Sequence, residues 1–155
     1  MLEYIGAALI LLSSLIPPIE LRRRGRQILA EYTYFERLFS GICERLSNMR
    51  TVGDFVRESN AEELSHMDFS PSELLSSPRS AISRFSFSEE LRGELCGYFS
   101  TLGRGERSSE LSRSESLLLR ISEERRGAVL KSGTDIRVRG AVSLAVGLTL
   151  VIILL

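Results

Sequence analysis

The chain holds one histidine, His66, one lysine, Lys131, and two cysteines, Cys43 and Cys96. Each scarcity excludes something. With a single imidazole, neither a histidine-based catalytic triad nor a histidine-rich metal site has a second member. No GxxxxGK[ST] loop occurs, so the chain lacks that means of cradling a nucleotide. Cys43 and Cys96 form no CxxC and no metal-spaced pair, and read as two buried thiols in a reducing compartment. The carboxylate pairs Glu89-Glu90 and Glu123-Glu124 fall on polar helix faces, where solvation accounts for them. No nucleic-acid motif and no run of strand alternation bounded by hairpin turns is found. The expectation is a protein that is not an enzyme and needs no cofactor, metal or nucleic acid.

Charge is also missing, but only from the two ends. Residues 4–19, YIGAALILLSSLIPPI, carry none, and neither do residues 140–155. The 20 basic and 20 acidic residues that balance the chain are therefore concentrated between them, with Glu3 as the exception. About 120 central residues suffice for one small domain with its own core. The organisation expected is a transmembrane helix over 1–20, a helical domain over 21–139 and a second transmembrane helix over 140–155.

A cleaved signal peptide carries a basic n-region and a small-residue cleavage site. Here Glu3 precedes the first apolar run and four arginines, Arg22, Arg23, Arg24 and Arg26, follow it, so an uncleaved anchor is expected. These arginines place the far side of the first span in the cytoplasm, and Lys131, Arg137 and Arg139 do the same for the near side of the second. The expected location is the cell membrane, with two spans and a cytoplasmic centre. Sixteen helical residues rise about 24 Å, less than the ~30 Å hydrocarbon core, so thinning, snorkelling or oligomerisation must absorb the difference. Pro17-Pro18 is expected to kink or stop the first helix. Ala141, Ala145 and Thr149, and again Ser143 and Gly147, recur at helical spacing that permits close helix contact and leaves homo-oligomerisation open.

The central region reads as an all-α antiparallel bundle. Ile28, Tyr32, Phe35, Phe39, Ile42, Leu46 and Met49 alternate four- and three-residue steps, an uninterrupted apolar seam on one helix. Thr51-Val-Gly-Asp54 marks a break and a restart, with Val52, Phe55 and Val56 as a short apolar face. Ser70-Pro71-Ser72-Glu73 carries an N-cap serine, a first-turn proline and a capping-box glutamate, and the serine-rich stretch over 70–88 is expected to be irregular. Leu91, Leu95, Tyr98 and Leu102 mark another helix, with Gly103 as its C-cap. After a tight turn at 103–107, Leu111, Leu118, Ile121 and Ala128 form one stripe of a long charged helix, weakened by Gly127 and Gly133.

Several short elements, taken in order, resemble the stage III sporulation protein AB family. They are Ile5-Gly6-Ala7 with Leu9-Ile10-Leu11, then Arg26-Gln27-Ile28, then Phe99-Ser-Thr-Leu102-Gly103 ahead of a charged helix from Glu106-Arg107, and finally the glycine-bearing terminal run RGAVSLAVGLTLVIILL. The resemblance implies a structural platform in the mother-cell to forespore channel of endospore-forming bacteria, in the mother-cell membrane. It implies a helical domain similar to the F-type platform proteins of type II secretion. It also implies partners: a cytoplasmic secretion-type ATPase, stage III sporulation protein AA, and other channel membrane proteins. The alternative is a membrane-tethered helical adaptor or regulatory module unrelated to sporulation, which would lack a secretion-type ATPase as genomic neighbour. Having no nucleotide loop, the chain would borrow any energy-dependent role, and the expected docking surface is Arg104, Glu106, Arg107, Glu110, Arg113 and Glu115.

Overall fold

The computed structural model describes the backbone of residues 2–154 and the side chains of 9–153 apart from 11, 14 and 15. Among the described residues every regular element is helical: α1 (Leu2–Ser47), α2 (Gly53–Glu58), a 3₁₀ turn (Glu62–Leu64), α3 (Glu73–Ser76), α4 (Pro78–Ser83), α5 (Glu89–Thr101) and α6 (Arg107–Leu154). The all-α expectation is met. The chain divides into two compact units, Gln27–Arg126 and one made of the flanking ends.

In the Gln27–Arg126 unit the α1 seam is the spine. Tyr32, Phe35, Phe39, Ile42 and Leu46 are buried, as their spacing requires. A second row, Tyr34 and Leu38, is buried beside it, so the apolar face is wider than one seam. Met49 departs from the expectation. It lies beyond the end of α1, is 79% exposed, and sits in the left-handed region at φ 56°. The Arg50 N–H donates to the Arg45 carbonyl at 2.8 Å and the Met49 N–H to the Leu46 carbonyl at 3.3 Å, the paired bonds of a Schellman cap, in which glycine is the usual occupant. The orphan carbonyls at the helix end are stronger claimants on this backbone than one methionine is on the core.

The stretch over 70–88 is irregular only in part. It folds into α3 and α4, which bury Leu74, Ala81 and Ile82, and the connection over 84–88 sends Phe85 and Phe87 into the core. Serine obscured these anchors because they obey no single period. Phe35 lies edge-on to Phe85 and Phe87, at 4.9 and 5.0 Å between ring centroids, and Phe39 packs against Tyr98 at 5.1 Å. Half of the capping box forms: the Ser70 N–H donates to Glu73 Oε1 at 3.2 Å, while Ser70 Oγ turns to Ser72 Oγ.

Helix α5 starts at Ser88, whose Oγ accepts from the Leu91 N–H at 3.1 Å, and Glu89 and Glu90 lie at the positive end of the helix dipole. Leu91, Leu95 and Tyr98 are buried as expected, and so is Phe99. Gly103 at φ 79° follows as the left-handed exit residue. The following helix, α6, buries Glu110, Ser114, Leu117 and Ile121. The inward stripe is thus offset from the expected Leu111, Leu118 and Ala128, which are only half-buried. Polar members of the stripe are satisfied in place: Tyr98 Oη and Ser114 Oγ are 2.7 Å apart, and Ser114 Oγ donates to the Glu110 carbonyl. Along the unit, Tyr32 meets Glu124 while Cys43 feels the charge of Glu115, and Ser88, Glu94 and Tyr98 meet Glu124, Arg120 and Ser114 in turn, so α6 runs antiparallel to α1 and α5.

The unit of the flanking ends is an antiparallel helix pair formed by the first part of α1 and the last part of α6. Its helix does not stop at Pro17-Pro18. Gly140 is buried with the Pro18 side chain beside it, so packing supports what local preference opposes. Gly127 and Gly133 likewise do not interrupt α6. Gly25 approaches Ser132 so closely that an added Cβ would stand 2.4 Å from its Oγ. Of the two small-residue rows, Ser143 and Gly147 line a groove with Ile10 and Ser13, while Ala141, Ala145 and Thr149 are exposed.

Candidate partner-docking and membrane-facing surfaces

Two features of the structure bear on function: an exposed apolar surface and an arginine-rich groove. The first belongs to the unit of the flanking ends. Val138, Val142, Leu144, Val146, Leu148, Leu150, Ile152 and Ile153 are all exposed, the last two at 75%. An 18-residue window of α6 reaches a mean hydropathy of 1.9 with 11% of it buried, which makes this one helix long and apolar enough to cross a membrane. Leu9, Leu12, Ile16 and Ile19 of α1 are exposed too. Most of the first expected span, 1–20, lies on side chains outside the described residues. The basic flanks Arg22, Arg23, Arg24, Arg26, Arg137 and Arg139 are exposed on α1 and α6.

The second feature lies in the Gln27–Arg126 unit, where the turn between α5 and α6 meets the end of α1. Of the six residues expected to dock a partner, Arg104, Glu106, Arg107, Arg113 and Glu115 are exposed. Glu110 is not available. It is 9% exposed, and its Oε1 accepts from the N–H groups of Gly103 at 2.7 Å and Gly105 at 3.3 Å. Its carboxylate staples the turn that precedes its own helix, which is a structural task. Arg113 is also engaged, donating to Thr101 Oγ1 at 3.1 Å and lying over the Tyr98 ring. The expected surface therefore separates: Arg104 and Arg107 line a groove of about 880 Å³, and Glu106, Arg113 and Glu115 do not.

Arg50 and Arg57 line the same groove. Sequence reasoning missed both. Arg50 follows directly on the Schellman cap and Arg57 lies in α2, so only the fold brings them to residues 104–107. The break at 51–54 was visible, but not where it would aim Arg50. Leu46, Val52 and Phe99 form a buried apolar floor.

Other titratable groups serve the core. Glu31 is 4% exposed; burial raises its pKa above the usual 4.5, opposed by the Ser86 N–H that donates to it at 2.7 Å and by His66, whose Nε2 lies 3.9 Å away. Glu124 is not merely solvated: it accepts from Tyr32 Oη at 3.1 Å and from Ser88, tying α6 to α1 and to the α5 cap. Burial and the Glu124 charge raise the Tyr32 phenol, and burial raises that of Tyr98 to about 12. Cys43 and Cys96 are free and only half-buried, and burial raises the Cys43 thiol. Among the described residues no group of three or more His, Cys, Asp or Glu is placed to hold a metal. No family model matches the chain, and neither a curated protein nor a solved structure does.

Proposed function

We propose that the chain is a non-catalytic platform anchored in the cell membrane by spans over 1–20 and 140–155, with its helical unit in the cytoplasm. The carrying observation is the run of exposed aliphatic side chains from Val138 to Ile153, which in water would be a large unpartnered apolar surface. Exposed arginines at the cytoplasmic border of both spans support the orientation. On this reading, and with the family resemblance, the protein belongs to the mother-cell to forespore channel. Its cytoplasmic unit holds a secretion-type ATPase, stage III sporulation protein AA, beside the other channel membrane proteins.

The anchoring half is tested by labelling. Ser112 is exposed on α6, so Ser112→Cys in a chain lacking Cys43 and Cys96 should react with a membrane-impermeant maleimide in inside-out vesicles only. A reporter that matures only outside the cytoplasm should be active when fused after Leu155. The opposite pattern would overturn the topology. The channel half is tested by deletion in a spore-forming host, where development should arrest after engulfment; undiminished spore yield would leave the adaptor reading in its place.

A further inference from the structure

The groove between the end of α1, α2 and the α5–α6 turn carries more positive charge than its surroundings neutralise. Among the described residues Arg50, Arg104 and Arg107 are exposed and make no ion pair, and Arg57 meets Asp54 alone, at 3.5 Å with both side chains exposed, a contact worth little. Elsewhere in the unit some arginines are paired, as Arg37 is with Glu63, Arg84 with Glu73 and Arg120 with Glu90, and the groove differs in gathering four guanidiniums on one lining. The acidic residue in the groove is Glu110, and its charge is taken up by the Gly103 and Gly105 amides. Like charges gathered at a cleft focus the field on whatever enters it.

We infer that this groove binds an acidic, amphipathic segment of a partner protein, with carboxylates on Arg50, Arg57, Arg104 and Arg107 and an apolar side chain on the floor formed by Leu46, Val52 and Phe99. Two observations favour a protein segment over a phosphate. A phosphate would have no use for an apolar floor, and the turn amides that would cradle one are already occupied by Glu110. Four guanidiniums drawn from three parts of the chain suit several carboxylates along a segment, each matched by a planar fork. An anchored apolar residue within a charged rim is the usual energetic layout of such a contact. The inference rests on the reading of this unit as a binding module and not on the channel assignment, and it can fail while membrane anchoring stands.

The test uses the full chain in detergent micelles and fluorescent twelve-residue peptides that alternate leucine with glutamate. Binding should fall on the order of tenfold with Arg104→Glu plus Arg107→Glu, and again when salt is raised. It should also fall when glutamine replaces the peptide glutamates or serine its leucines. Arg104→Gln plus Arg107→Gln, a milder pair, should show a smaller loss with an unchanged unfolding midpoint. Arg126→Glu, outside the groove, should leave binding unaltered. Equal losses with Arg126→Glu, or indifference to both arginine pairs, overturns the inference. Competition by inorganic phosphate or anionic lipid vesicles as strong as that by unlabelled peptide would also overturn it, in favour of a phosphate site.

Discussion

In the Gln27–Arg126 unit, Phe35, Phe39, Ile42, Leu95 and Ile121 are sealed from solvent, while in the unit of the flanking ends Val142, Leu144, Leu148 and Ile152 stand open along a helix. Of the large apolar side chains exposed among the described residues, only Met49 and Leu119 fall in the first unit. Both regions are helical and both are rich in aliphatics, so the difference lies in arrangement. In the first, apolar residues recur at four- and three-residue steps with charge between them, and another helix covers the stripe. In the second, apolar residues surround the helix on every side, which no single neighbouring helix can cover. The first pattern asks for a protein partner and the second for an apolar medium.

The comparison breaks most plainly under truncation. Phe39→Ala should cost about 3–5 kcal/mol in the unfolding free energy, through lost burial and a cavity. Leu148→Ala, 53% exposed in the native residue, should cost less than about 0.5 kcal/mol on the same full chain. Chemical denaturation followed by helical circular dichroism measures both. Comparable losses would mean that Leu148 is packed by protein after all.

Next in size is Glu110→Ala. It leaves the Gly103 and Gly105 amides without their acceptor and should cost about 1–3 kcal/mol. An unchanged denaturation midpoint would return Glu110 to the solvated surface that its sequence context suggests.

These two positions also mark what the sequence made legible. The α1 seam could be read because each step from Ile28 to Leu46 repeats one helical period. So could Leu91, Leu95, Tyr98 and the Gly103 exit, because spacing and cap agreed. Glu110 could not, because a buried acid whose partners are backbone amides leaves no mark on a hydrophobicity pattern. The α6 stripe was offset for a related reason, since two of its inward members, Glu110 and Ser114, are polar. Leu74 and Ile82 were hidden because their helices are too short to show a period, and Phe85 and Phe87 because they lie in the connection from α4 to α5, where no period applies. Pro17-Pro18 did not stop the helix as local preference allowed, and Pro18 lies beside Gly140.

A smaller effect is expected at Met49. Its left-handed backbone burdens an L-residue by about 1 kcal/mol, so Met49→Gly should raise the unfolding free energy by up to about 1 kcal/mol, reduced by the freedom glycine adds to the unfolded chain. Destabilisation would show that the exposed thioether makes a contact worth more than the strain.

The smallest effect is the pH dependence of Glu31. Its folded pKa lies above 4.5, so between that value and the folded pKa the native state holds more protons than the unfolded one. This group's contribution is therefore fullest below pH 4.5 and is lost as pH rises through the folded pKa. Glu31→Gln keeps an acceptor for the Ser86 N–H and removes the ionisation, so stability of the wild type relative to this variant should fall with rising pH. Urea midpoints measured from acid to neutral pH decide it, and a relative rise would reverse the sign of the burial effect.

The staple at Glu110 has a consequence for time rather than energy. Gly103 and Gly105 belong to an exposed turn, whose amides would ordinarily trade hydrogen with water almost as fast as those of an unfolded chain. Held on one carboxylate oxygen, they should exchange only when the first turn of α6 opens, and so as slowly as the helix they precede. Arg104 lies between two clamped residues. A ligand arriving at this edge meets backbone that is already ordered, and loses less entropy in fixing it.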